Sequence, residues 1–106
     1  MLEVVFQRVQ PDEVDRLRAW INEEEDRAEE VRQTFRQETV HHEVAYLIEA
    51  TEGPVLVYAM EAEDFDRADR AYRSSTLPID LQHREIMRAV VAGPAAVEKL
   101  YEVSLD

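Results

Sequence analysis

The order of hydrophobic patterns along these 106 residues predicts an α+β fold. It is a ferredoxin-like sandwich with element order β-α-β-β-α-α-β, in which an antiparallel sheet carries its helices on one face. Three observations predict it. A short Val- and Phe-rich segment opens the chain, two alternating apolar segments flank Thr51-Glu52-Gly53-Pro54, and stretches with apolar residues three and four apart fill the intervals. No linker, repeat or low-complexity tract interrupts residues 1–106, so one domain is expected, burying on the order of 65% of the surface its unfolded chain exposes.

Each element has a local reason. Leu2 to Val9 reads as a first strand that stops at Pro11, and Pro11 with Asp12 and Glu13 suits the start of a helix. From there to about Glu38 the stripe Val14, Leu17, Ile21, Ala28, Val31, Phe35 predicts one long helix, with Glu24 standing at the stripe position between Ile21 and Ala28. Val40 to Ala50 and Val55 to Glu63 predict an antiparallel hairpin that sets Ala50 opposite Val55, Tyr46 opposite Ala59 and Val44 opposite Glu61. Asp64 caps a short helix carrying Phe65, Ala68 and Tyr72 and ending near Ser74 and Ser75. A further helix follows Pro78 with Ile79, Ile86 and Val90 on one face, Met87 and Val91 widening it, and Gly93-Pro94 as its stop. Val97 to Leu105 is expected as the last strand.

The hairpin's second face, with Ala45, Leu47, Leu56, Tyr58 and Met60 joined by Val5 and Val9, is a larger apolar surface than a monomer usually exposes. A homodimer burying that face is the expected assembly.

Charge narrows setting and partners. Twenty-four Asp and Glu stand against eleven Arg and one Lys, Lys99, for a formal charge of −12. Such a surface repels phosphate backbones and anionic headgroups, so nucleic acid and membrane are excluded as expected partners. Carboxylates in excess with almost no Lys predict a halophilic cytoplasm, where at molar salt a Debye length of about 3 Å screens the self-repulsion; the plainer alternative is an acidic mesophilic protein. No cysteine removes disulfides, thiol nucleophiles and thiolate metal sites. The opening MLEVVFQRV lacks the features of a signal peptide, and no segment approaches the ~20 apolar residues of a membrane span.

The stretch HHEVAYLIEATEGPVLVYAMEAED, followed by SSTLPIDLQHREIM, resembles an uncharacterised domain-of-unknown-function family of small prokaryotic proteins, and the likeness covers almost the whole chain. That family is similar in organisation to the dimeric α+β barrels. Among these are cofactor-independent monooxygenases of antibiotic biosynthesis, sugar mutarotases and haem-binding relatives of chlorite dismutase. The resemblance implies a dimeric barrel and brings no catalytic residue with it; fold alone does not choose an activity.

Candidate chemistry is therefore read from individual residues. His41 and His42 are adjacent and point to opposite sheet faces. In the expected register His42, Tyr46 and Glu61 share a face, where a carboxylate beside an imidazole prepares a general base; the plainer alternative is a sheet-end salt bridge. His83, four residues after Ile79 and three before Ile86, is expected to face inward, as a hydrogen-bonded core histidine or a catalytic one. Glu24 is expected inward as well, needing a partner or a water-filled cavity, unless helix curvature leaves it at the surface.

Glu24, His42, Tyr46, Glu61 and His83 would then converge between sheet and helices, with apolar walls from Phe6, Phe35, Ile48 and Val57. Proton transfer of the isomerase kind is the function expected of such a pocket, with Tyr46 donating to a developing oxyanion, and the resemblance to the dimeric α+β barrels implies monooxygenase-like chemistry without a cofactor as the other enzymatic reading. His42, Glu61 and His83 also form a two-His, one-carboxylate set, although their spacing matches no metal motif. Two isolated glycines, Gly53 and Gly93, build no phosphate loop, so neither flavin nor dinucleotide is expected. The contrasting class is a non-catalytic homodimer that binds a metabolite or a protein.

Overall fold

The computed structural model describes residues 1–105. Among these, four antiparallel strands form one sheet in the order β2-β3-β1-β4, from β1 (Leu2–Val9), β2 (Val40–Ala50), β3 (Gly53–Ala62) and β4 (Val91–Pro94). The helices α1 (Val14–Asp26), α2 (Ala28–Glu38), α3 (Phe65–Ser74) and α4 (Pro78–Val90) cover one face of that sheet. The expected α+β sandwich is the one observed.

Two helical details differ from expectation or refine it. The long helix is broken at Arg27, which leaves helical geometry at φ −110° and ψ 38°. Its guanidinium is held by two hydrogen bonds to Glu30 and by one to Gln82 of α4, 2.7 Å long. Apolar periodicity continues across this break because both halves face the same sheet, so the pattern alone cannot show it. The short helix matches closely: Asp64 accepts a hydrogen bond from the Arg67 N–H, as an N-cap should.

The hairpin is tighter than predicted. Ala50 pairs with Gly53, Tyr46 with Val57, Val44 with Ala59 and His42 with Glu61. Gly53 adopts φ +125°, a conformation open to glycine, and so closes the turn around Thr51 and Glu52 alone. Pro54 then joins β3 beyond Arg8–Val55, the last pair with β1, where its missing N–H is not needed. A displacement of two residues preserves the side-chain alternation, so the predicted companions stay on common faces. A bulge at His41 separates the Val40–Ala62 and His42–Glu61 pairs.

The assignment of those faces is reversed. Leu47, Leu56, Tyr58, Val5 and Val9 are expected from the pattern on the dimer face, yet Val9 and Leu56 join Leu17 and Val90 in a core cluster against α1 and α4, with Leu47 and Tyr58 packed on it. The opposite face carries Leu2, Val4, Phe6, Val44, Tyr46, Ile48, Val55 and Val57, with Tyr46 62% and Ile48 46% exposed. Both faces are rich in apolar residues, so alternation identifies companions without saying which set the helices cover. A second cluster of Val40, Ala62 and Ala68, with Phe35 and Phe65, lies under α2 and α3.

The last strand is also relocated. The chain passes from Val90 straight into β4, whose Val91, Gly93 and Pro94 pair with Val9, Arg8 and Gln7. Gly93 takes φ +146°, and a Cβ there would stand 3.0 Å from the Arg8 guanidinium. Gly93-Pro94 thus serves an edge strand, where Pro is tolerated, instead of ending a helix. Residues 95–105 carry no regular structure, and Leu100, Tyr101, Val103 and Leu105 in that tail are exposed. Among the described residues no helix is long and apolar enough to cross a membrane.

Candidate active site

Between sheet and helices lies a cavity of about 580 Å³. Its walls include residues of both apolar clusters, Met87 and Tyr58 from one and Val40, Phe35, Phe65 and Ala68 from the other. Polar side chains enter from every layer: Glu24 from α1, Thr34 and Glu38 from α2, Glu43 and Tyr58 from the sheet, Tyr72 from α3, and Asp80 and His83 from α4. The site forms because several stripes place a polar residue where the periodicity points inward. Asp80, His83 and Met87 share one helical row, as do Val31, Thr34 and Glu38.

His83 is fixed on several sides. The Trp20 indole N–H donates to its Nδ1 at 2.8 Å, and Tyr58 and Tyr72 meet its ring edgewise with centroids at 6.3 and 5.9 Å. An indole nitrogen can only donate, so Nδ1 accepts and the neutral ring carries its hydrogen on Nε2. Glu24 Oε1 lies 3.4 Å from that same Nδ1. With Nδ1 already engaged this approach is no ion pair, and Glu24 Oε1 is a buried oxygen without a hydrogen-bond donor. The buried Tyr58 hydroxyl also lacks a partner.

Burial raises Glu43 to about 7, with repulsion from Glu24 adding to the shift. Burial likewise lifts Glu38 to about 8, reinforced by Asp80 and Glu43. Desolvation drives both tyrosine hydroxyls upward, Tyr58 and Tyr72, and keeps them as hydrogen-bond donors at neutral pH. Asp80 is handled differently: it is 4% exposed and accepts hydrogen bonds from the Thr34 hydroxyl at 2.6 Å and from the Ser75 hydroxyl. Arg84 donates to the carbonyls of Tyr72 and Ser75 and sits over the Tyr72 ring at 5.6 Å, tying α3 to α4.

Of the five residues expected to converge, Glu24 and His83 do. His42, Tyr46 and Glu61 lie on the opposite face of the sheet, exposed. There His42 pairs across the strands with Glu61, whose carboxylate takes the Met1 ammonium at 2.9 Å. His41 meets Glu63 at the surface, 3.2 Å away. The sheet therefore separates His42 and Glu61 from His83, and the three cannot close on one metal ion. Of the expected walls, Phe35 lines the cavity, whereas Phe6, Ile48 and Val57 belong to the far face. Sequence patterning misses Glu43 and Tyr58 because it gives their strand face to the dimer. Asp80 and Glu38 have a readable signal, their place in the inward rows of α4 and α2.

No curated protein matches the sequence. Among solved structures, the fold is similar to that of tetracenomycin F2 cyclase from Streptomyces glaucescens, a type-II polyketide cyclase. The TM-score is 0.61 at 16% identity, covering 100% of this chain and 99% of that one. At that identity the likeness concerns the fold, that of the dimeric α+β barrels. A family model matches residues 1–106 from end to end, and the chain belongs to that family of unknown function, DUF6176.

Proposed function

We propose that this protein is a small-molecule enzyme that moves a proton without a cofactor, in the cavity between sheet and helices. The observation that carries the reading is the place of Glu43, a half-buried carboxyl in the cavity wall that burial raises to about 7, which suits a general base near neutral pH. Tyr58, on the same sheet face and diagonal to Glu43, supplies a hydroxyl donor. His83, a neutral ring with its Nδ1 occupied, offers its Nε2–H to a developing negative charge, and Glu24 stands beside it. The substrate enters with its acidic C–H or O–H toward Glu43; proton return from the same carboxyl completes an isomerisation.

The test uses nitrobenzisoxazole, whose C–H bond a carboxylate base breaks as its N–O bond opens to a cyanophenolate. The expected rate exceeds that of free acetate about 100-fold, rises with pH through about 7, and is lost in Glu43→Gln but kept in Tyr46→Phe. A rate no greater than acetate's would refute proton transfer and leave the alternative, a cavity that only binds a metabolite.

The same reading includes a homodimer formed through the sheet face opposite the helices. Support comes from the exposed apolar side chains there and from the exposed apolar tail after β4. A salt-rich cytoplasm is the proposed setting, on the strength of the acidic, Lys-poor composition.

A further inference from the structure

We infer that the ligand of this cavity is an organic amine in its ammonium form, an apolar body bearing at least one N–H⁺. The inference rests on the reading that the cavity is the binding site, and it adds the ligand's charge. A void of about 580 Å³ falls within the range of small-molecule sites and exists apart from its charge. That charge is one-sided. Four carboxyl side chains that are half-buried or buried line the inner walls, Glu24, Glu38, Glu43 and Asp80, and among the described residues neither Lys nor Arg does. The basic ring there, His83, already accepts from Trp20 at Nδ1. An anionic ligand would meet the inner carboxyls, Glu24 and Asp80 among them, with no cationic side chain in the walls to balance them, away from bulk water where such repulsion is stronger.

Three further features favour an organic cation. Glu24 Oε1 and the Tyr58 hydroxyl are buried without partners, and a buried acceptor left without a donor is costly. An ammonium N–H supplies donors to both oxygens. The rings of Tyr58 and Tyr72 also border the cavity, and aromatic faces attract organic cations. Burial, with repulsion from Asp80 and Glu43 on Glu38 and from Glu24 on Glu43, holds both carboxyls above the usual carboxylate range, a penalty that a bound positive charge relieves.

The experiment compares three probes of one shape: phenethylamine, phenylethanol and phenylpropionate. Each is titrated by calorimetry and by amide chemical-shift mapping at constant KCl. The amine should bind at least about tenfold more tightly than the other two, with shifts on cavity residues such as Thr34, Tyr58 and His83. Glu24→Gln should reduce that preference about fivefold, a loss of roughly 1 kcal/mol, while Glu61→Gln on the far face leaves it unchanged. Because the comparison is made on the unaltered protein, it stands even if a variant misfolds. Equal or tighter binding of phenylpropionate overturns the inference, as do shifts confined to surface carboxylates such as Glu29 and Glu52. Amine preference without nitrobenzisoxazole turnover would uphold the inference and defeat proton transfer. Turnover without amine preference would do the reverse.

Discussion

Replacing Glu43 by glutamine should change how stability depends on pH. The folded protein holds this carboxyl at about 7, against 4.5 for the ordinary side chain. A carboxyl whose folded pKa is raised binds its proton more tightly when folded. Its stabilisation is complete below the unfolded value and is lost as pH rises through the folded one. Integrated from about pH 6 to about pH 9, a group titrating near 7 loses about one unit's worth, ~1.4 kcal/mol; an unshifted carboxyl loses almost nothing there. Glu38, raised to about 8, adds a loss in the same direction, reduced by its greater contact with water. The side-chain amide of the Glu43→Gln variant cannot ionise. Relative to the unaltered protein, the variant should therefore gain ~1.4 kcal/mol between those pH values, or about 6 °C in Tm for a domain this size. Denaturant unfolding at both pH values and constant KCl reads the difference directly, since the histidines and the surface carboxylates are common to both proteins. Parallel pH curves for the two proteins would refute the burial argument for Glu43.

Three other outcomes are expected. Thermal melts in about 0.1 M and about 2 M KCl should show Tm rising with salt as screening shortens the reach of the −12 charge; an unchanged Tm would remove the salt-adapted setting. Tyr46→Glu with Ile48→Glu places charge at the centre of the exposed sheet face and should convert a dimer to a monomer in sedimentation at micromolar concentration. A dimer that persists would locate the interface elsewhere. Asp80→Ala leaves the Thr34 and Ser75 hydroxyls without their shared buried acceptor and should cost about 2–3 kcal/mol in denaturant unfolding, whereas an unmoved midpoint would show that the network adds nothing.

Half of the candidate site can be read from periodicity. His83 and Glu24 each occupy a position in a row of apolar residues on a helix, and a helix packed on a sheet has one direction that faces inward. Strand residues give no such direction. Alternation groups His42, Tyr46 and Glu61 with one another, and Glu43 and Tyr58 equally belong together, because it survives a register displacement of two. Which group meets the helices depends on how the crossover from β1 lays α1 against the sheet. Here Val9, at the end of β1, packs with Leu17 and Val90, and that contact commits Glu43 and Tyr58 to the inside.

The sequence by itself determined the α+β class, the hairpin at Gly53, the acid excess, and the inward positions of Glu24 and His83, since each follows from local spacing, backbone allowance or charge. Tertiary structure decided the rest: the break at Arg27, the use of Gly93-Pro94 in an edge strand, and the sheet face that helices cover. These depend on contacts between residues distant in the chain, such as Arg27 with Gln82 and Arg8 with Pro94. Local propensity is nearly balanced at those points, and long-range packing determines the outcome.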